Sequence, residues 1–216
     1  FVIHKFFATP VYHTNLDHEA LRQSLNKLIL SRQTSEFEHP NPPQGRIPGV
    51  FESRFNFFVE QENTAIAELT SLINTHLQAF LAVVTNSKPE EIDLDTLESE
   101  SWFHITEQGG YFQPHTHPNA SWSVVYCVDN GHTAETSAEE ESGHLVFSDP
   151  RTMASMFLDP FNRNLHRDIS FSGVKYFLQS GDLVFFPSYL EHFVAPFSGE
   201  GKRITVAANF HGIGHG

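Results

Sequence analysis

The stretch Gly181-Asp182-Leu183-Val184-Phe185-Phe186-Pro187-Ser188-Tyr189-Leu190-Glu191-His192 decides the fold. A turn glycine opens it, a short run of bulky apolar residues follows, and Pro187-Ser188 closes the run before His192 begins the next segment. Apolar runs this short, rich in Val and Phe and bounded by Gly and Pro, read as buried strands rather than helices. The same texture extends outward in both directions. Upstream lie Trp102–Thr106, the Gly109-Gly110 turn, Tyr111–His115, Ser121–Val128, an acidic polar loop over Asp129–Ser142, Gly143–Ser148 and Val174–Leu178. Downstream lie Glu191–Pro196 and Arg203–Phe210. With Asp182–Phe186 these make about eight strands with no long helix between them, which predicts an antiparallel sandwich or barrel and not a parallel sheet. A double-stranded β-helix, or jelly roll, is the eight-stranded solution. Pro150–Ser172 is too long for a hairpin connection, and a segment of that length is either a functional lid or a disordered loop.

The first hundred residues have a different pattern. Residues through Val11 and Tyr12 predict a strand, and a helix is expected over Leu16–Leu30, capped near Asn15 or Asp17. His39–Gly45 is a loop by its prolines and glycine. A second helix is expected over Asn63–Val84, because Ile66, Leu69, Leu72, Ile73, Leu77, Phe80 and Leu81 recur at three- and four-residue steps. Lys88–Glu100 is an acidic connector. The expectation is therefore a mainly β chain of α+β type, one domain over residues 1–216. Residues 1–100 supply a strand and supporting helices packed outside a jelly-roll core at 101–212.

Composition narrows the function. The chain has 216 residues, 21 of them Phe, enough bulky apolar surface for a single core. Thirteen Lys and Arg stand against 26 Asp and Glu, a net charge of −13 that disfavours general binding to nucleic acid or anionic lipid. No run approaches the roughly 18 apolar residues that span a bilayer, and no signal-peptide pattern opens the chain. The only cysteine, Cys127, excludes an internal disulfide framework and a thiolate zinc site. These counts suggest a cytoplasmic protein, and a homodimer is compatible with them.

Chemistry concentrates in three places. In Pro114-His115-Thr116-His117-Pro118, strand alternation lets His115 and His117 point to one side, where a divalent metal gives two imidazoles a shared reason to converge. On that spacing alone, two hydrogen-bonded histidines are the simpler reading. His192 changes the balance, since a third histidine at a strand start completes a three-point face with open positions, as in non-haem iron sites. Turn capping is its bland alternative. On the last strand Arg203, Thr205, Ala207 and Asn209 share one face and Ile204, Val206, Ala208 and Phe210 the other. An inward Arg with a hydroxyl beside it suits a carboxylate held bidentately, whereas a strand-end Arg at the rim is the ordinary alternative.

Taken together, Trp102, Gly110-Tyr111, Pro114–Asn119, Ser123, Asp149-Pro150-Arg151, Phe186-Pro187-Ser188, His192, Arg203 and Asn209 resemble the 2-oxoglutarate/Fe(II)-dependent oxygenase superfamily, in a largely uncharacterised bacterial and phage branch. The resemblance covers Trp102 to the C-terminus well and the helical half weakly. It implies a dioxygenase of the hydroxylase type using Fe(II), 2-oxoglutarate and O2 on a small-molecule or peptide substrate. It also implies iron on His115, His117 and His192, and the distal carboxylate of 2-oxoglutarate on Arg203 with Thr205. Two departures stand out: His117 occupies the position where most relatives carry Asp or Glu, and Cys127 aligns with a Tyr that contacts the cosubstrate. His104 and Ser123 are the expected substitutes for that Tyr. Asn119, Arg151 and Asn209 are expected substrate contacts, and Arg163, His166 and Arg167 add positive charge in or beside Pro150–Ser172.

Two other readings stay open at this point. Gly109 followed by His115-Thr116-His117, and Gly181…Pro187…His192, also echo a cupin-type metal protein that does not use 2-oxoglutarate. The cupin glutamate is missing, because Ser121 and Trp122 hold its positions. A metal-free binding module using the barrel mouth is the third reading.

Overall fold

The run Asp182–Pro187 is buried along its whole length, so it forms a central strand between the Gly181 turn and the Pro187-Ser188 turn. The computed structural model describes residues 2–132, 141–166 and 168–213. Among these, β1 (Tyr12–Asn15), α1 (Glu19–Ser31), β2 (Val50–Glu52), α2 (Thr64–Thr85), β3 (Leu97–Thr106) and β4 (Phe112–His115) are followed by β5 (Trp122–Asp129), β6 (Leu145–Phe147), β7 (Val174–Tyr176), β8 (Asp182–Pro187), β9 (His192–Val194) and β10 (Arg203–Gly212). All pairs between these strands are antiparallel. They form a six-stranded sheet in the order β1-β8-β5-β10-β3-β2 and a four-stranded sheet in the order β4-β9-β6-β7.

Two cores result. Leu21, Leu25 and Ile29 of α1 and Ile66, Leu69, Ile73 and Leu77 of α2 cluster with Phe103, Tyr126, Phe185, Val206 and Phe210 of the larger sheet. A second cluster joins Cys127, Val184 and Phe186 of the larger sheet to Phe112, Leu145, Phe147 and Val194 of the smaller. The alternation on β10 divides as its sequence predicts. Ile204, Val206, Ala208 and Phe210 belong to the helix-side core, while Arg203, Thr205, Ala207 and Asn209 are buried on the other face.

Helix α2 matches its pattern closely. Asn63 accepts from the Ala65 and Ile66 amides, and Asn86 ends the helix in the left-handed region at φ 54°. The N-terminal expectations need correction. Residues 2–11 form no strand; β1 starts at Tyr12, after Pro10, which has no amide hydrogen for a ladder. Helix α1 starts at Glu19 and its cap is His18, because Leu16 N–H donates to Gly181 O and the Asn15 amide is spent on Asp182 and Ser180. Neither Asn15 nor Asp17 caps it. The acidic connector ends sooner than expected, with β3 starting at Leu97, and β2 is a strand the sequence reading lacked. Much of the acidic loop (133–140) and Arg167 lie outside the described residues.

The wide sheet arranges interior side chains in rows, since residues paired across strands share a face. Arg203 pairs with Thr106; Thr205 lies between His104 and Cys127; Ala207 lies between Trp102 and Val125; Asn209 lies between Glu100 and Ser123. Ser123 in turn pairs with Phe186. Successive rows are two residues, roughly 7 Å, apart. Gly181 makes the turn into β8. Its φ of +96° and an added Cβ only 2.8 Å from Leu16 O leave room for glycine alone.

Candidate active site

Strands β4 and β9 of the smaller sheet bring His115 opposite His192 in register, and the turn after β4 adds His117. One ring nitrogen of each lies within 4.8 Å of the others. The ring centroids are 5.1, 4.3 and 5.0 Å apart. His115 Nδ1 is 2.7 Å from Gln113 O, and His192 Nδ1 is 2.9 Å from Leu190 O. A carbonyl only accepts, so each Nδ1 carries the proton and each Nε2 keeps its lone pair. The His117 ring makes no hydrogen bond among the described residues and lies 5.8 Å from the Trp102 ring. Its turn is held by His117 N–H donating to Ser188 O at 3.0 Å.

Burial sets the charge state. It pushes His192 down to about 3, aided by His115, and His117 down to about 4, aided by His115 and His104. His115 is also lowered, chiefly by burial. All three imidazoles are therefore neutral near pH 7, the form that ligates a metal. The cluster lies over the rows of Trp102 and Phe186, the latter ring 4.7 Å from that of His192.

Arg203 lies at the far end of the same interior face. It is 3% exposed and makes no hydrogen bond or ion pair among the described residues. Burial lowers its pKa, with neighbouring Cys127 acting in the opposite sense. Gly143 closes over its stem at φ +65°, where an added Cβ would lie 3.1 Å from Arg203 Cδ. Thr205 is 2% exposed in the next row. Cys127 sits beside it, fully buried, its thiol pushed up to about 12 by burial.

The other expected residues fall into three groups. His104 is beside Thr205, but its Nε2 is 2.9 Å from Glu52 Oε2 and 3.1 Å from the Trp102 indole nitrogen. One ring nitrogen cannot both donate to Glu52 and accept from Trp102, so the Glu52 carboxylate and the indole N–H compete for it. Ser123 lies two rows from Thr205, and its hydroxyl is engaged by Ser188 and Asn209. Asn119 is an exposed turn residue at φ 66°. Arg151 forks onto Asp149 and donates to Ser170 O, fastening the two ends of the long loop, and Arg163 and His166 are exposed. Glu52, Ser188 and Gly143 were missed as site residues. Ser188 stood in the quoted Phe-Pro-Ser turn, whereas Glu52 and Gly143 had no signal, since their neighbours come from distant segments.

A family model described as "Putative 2OG-Fe(II) oxygenase" matches residues 100–209, and the chain belongs to that family. No curated protein sequence matches it. Among solved structures, a Pseudomonas putida prolyl-4-hydroxylase is similar at 15% identity and TM-score 0.62, over 95% of this chain and 94% of that one. A Trichoplax adhaerens prolyl hydroxylase, solved with a hypoxia-inducible-factor peptide, is similar at 13% identity and TM-score 0.62, over 96% and 84%. HygX from Streptomyces hygroscopicus, solved with nickel and 2-oxoglutarate, is similar at 11% identity and TM-score 0.58, over 96% and 84%. These likenesses concern the fold. No helix of the described residues is long and apolar enough to cross a membrane.

Proposed function

We propose that this oxygenase is a hydroxylase-type enzyme whose iron sits on His115, His117 and His192 and whose 2-oxoglutarate is anchored by Arg203 and Thr205. The fold read for it is one domain: an eight-stranded jelly roll formed by β3 to β10, with the N-terminal helices outside. The observation that carries the reading is Arg203, a guanidinium buried with no hydrogen-bond or ion-pair partner among the described residues, at one end of an interior face whose other end faces three neutral imidazoles. A buried cation without an anion is costly, and a carboxylate from a ligand is the partner it lacks. Four residues of strand, roughly 13 Å, separate Arg203 from the row under the His117 ring. An arginine side chain and a five-carbon diacid fill that span.

The donor set fits iron(II): three nitrogens, two with tautomers fixed by carbonyls, and no carboxylate among them. When bound, iron with 2-oxoglutarate and O2 supplies the oxidising chemistry. The chain's own residues do the rest. The histidines offer neutral Nε2 atoms, Arg203 and Thr205 orient the cosubstrate, and Phe112, Phe147, Phe186 and Val184 exclude water. His104 is the third group proposed beside the cosubstrate, and it replaces in part the phenol that Cys127 cannot provide. Arg151 and Asn119 are proposed at the substrate side, and the substrate is a small molecule or peptide.

Anaerobic addition of Fe(II) and 2-oxoglutarate tests the reading. A weak visible charge-transfer band that requires both is expected, because the keto acid then chelates the metal. Iron binding without that band returns the protein to a cupin-type metal centre.

A further inference from the structure

Asn209 is 8% exposed on the interior face of β10, and its amide is oriented by a chain of hydroxyls. Ser123 Oγ donates to Asn209 Oδ1 at 2.8 Å, and Ser123 Oγ and Ser188 Oγ are 2.8 Å apart. Ser123 has one proton and gives it to Asn209, so Ser188 is the donor to Ser123. The line therefore runs Ser188 to Ser123 to the Asn209 carbonyl, and the Asn209 Nδ2 hydrogens are left without an acceptor among the described residues. Ser188 is itself fixed at both backbone atoms, donating to Ser121 O and accepting from His117 N–H, each at 3.0 Å. The relay thus joins Asn209 to the turn that carries the third histidine.

Position excludes the cosubstrate as the missing acceptor. Asn209 lies six residues, roughly 20 Å of strand, from Arg203, beyond the reach of a five-carbon diacid anchored there. It shares its row with Phe186, against which His192 packs, and with Glu100, which is exposed to solvent. It therefore stands between the histidine cluster and an open end of the sheet. No lysine or arginine shares that row. With a net charge of −13 and an acidic neighbour, the position favours a neutral acceptor over an anion.

We infer that Asn209 is a substrate-orienting residue whose carboxamide N–H2 binds a neutral carbonyl oxygen, so that the primary substrate is a peptide or another amide. This rests on the proposed oxygenase reading for which end of the site receives substrate. The test uses the metal-free full chain titrated with N-methylacetamide and followed by 1H–15N spectra. The chain has two tryptophans. Trp102 lies one row from Asn209, whereas Trp122 packs edge-on against Phe80 in the helix-side core, 4.8 Å between centroids. The Asn209 side-chain amide and the Trp102 indole signals are expected to move together and saturate at millimolar probe, with Trp122 still.

Asn209→Asp keeps the acceptor for Ser123 and the side-chain shape but has no N–H2, and it should bind the probe about 10-fold more weakly or worse. Asn209→Ala gives the same loss by deletion and covers a failure of the first variant to fold. No saturable movement in the wild type, or wild-type affinity in either variant, overturns the inference. Acetate binding more tightly than N-methylacetamide overturns the choice of a neutral acceptor. Because neither iron nor cosubstrate is present, this outcome is independent of the charge-transfer band, and either proposal can fail alone.

Discussion

Replacing Arg203 by methionine should move two quantities in opposite directions. In the ligand-free protein the change removes a 3% exposed guanidinium with no described partner and leaves an apolar side chain of similar length. Exchanging a buried charge for a packed apolar group is neutral or stabilising by about 1–4 kcal/mol. For a chain of this size each kcal/mol raises Tm by about 2–4 °C. The same change removes a charge-assisted contact to the cosubstrate worth about 1.5–3 kcal/mol, or a 10- to 100-fold loss of affinity. Anaerobic thermal unfolding with Fe(II), with and without 2-oxoglutarate, reads both. At a concentration 100 times Kd, the cosubstrate adds about 2.7 kcal/mol to the wild type, and at the Kd of a 100-fold weaker variant it adds about 0.4 kcal/mol. Arg203→Lys keeps the charge without the fork and should fall between them. A methionine variant that is less stable alone yet binds 2-oxoglutarate like the wild type would show that Arg203 is a structural cation and refute the reasoning.

Three further outcomes follow from the same geometry. His115→Ala and His192→Ala should each abolish Co(II) or Fe(II) binding by equilibrium dialysis, while His117→Asp, which restores a carboxylate, should retain it; wild-type binding in either alanine variant counts against the three-histidine site. Cys127, with its thiol pushed up to about 12, should ignore a thiol-titrating disulfide at pH 8 until denaturant is added. The folded state holds that proton more tightly than the unfolded one, so this contribution to stability is complete below the ordinary thiol pKa and is lost as pH rises towards 12. Gly181→Ala should cost about 1–3 kcal/mol in urea unfolding, because the turn holds φ +96° with Leu16 O in contact; a neutral result would mean the turn relaxes freely.

Short-range pattern carried most of the architecture and long-range pairing carried the rest. The period of α2 and the alternation on β10 are local, and both elements sit where their sequences place them. Where α1 begins is not local, because Gly181 O, 165 residues downstream of Leu16, takes the amide that would have opened the helix. Strand β2 has three residues and exists because β3 offers it an edge. At the site, His115, His117 and His192 were legible as residue types with a strand-compatible spacing, and the structure brings them together. Glu52 was not, since nothing in Val50-Phe51-Glu52 announces that His104 lies opposite. Ser123 is expected to stand in for the phenol missing at Cys127; it shares that face of the strand but lies two rows away, where its hydroxyl is engaged by Asn209 and Ser188.

His115 and His192 each find the acceptor for Nδ1 on the main chain two residues earlier, at Gln113 and Leu190. The tautomer of both rings is therefore fixed within a tripeptide, with no remote side chain accepting from Nδ1. Side chains at 113 and 190 can drift in sequence without removing either acceptor, because every residue has a carbonyl. A change in backbone path at Gln113 or Leu190 would move the acceptor, so each histidine carries its own proton-fixing group at an end of its strand.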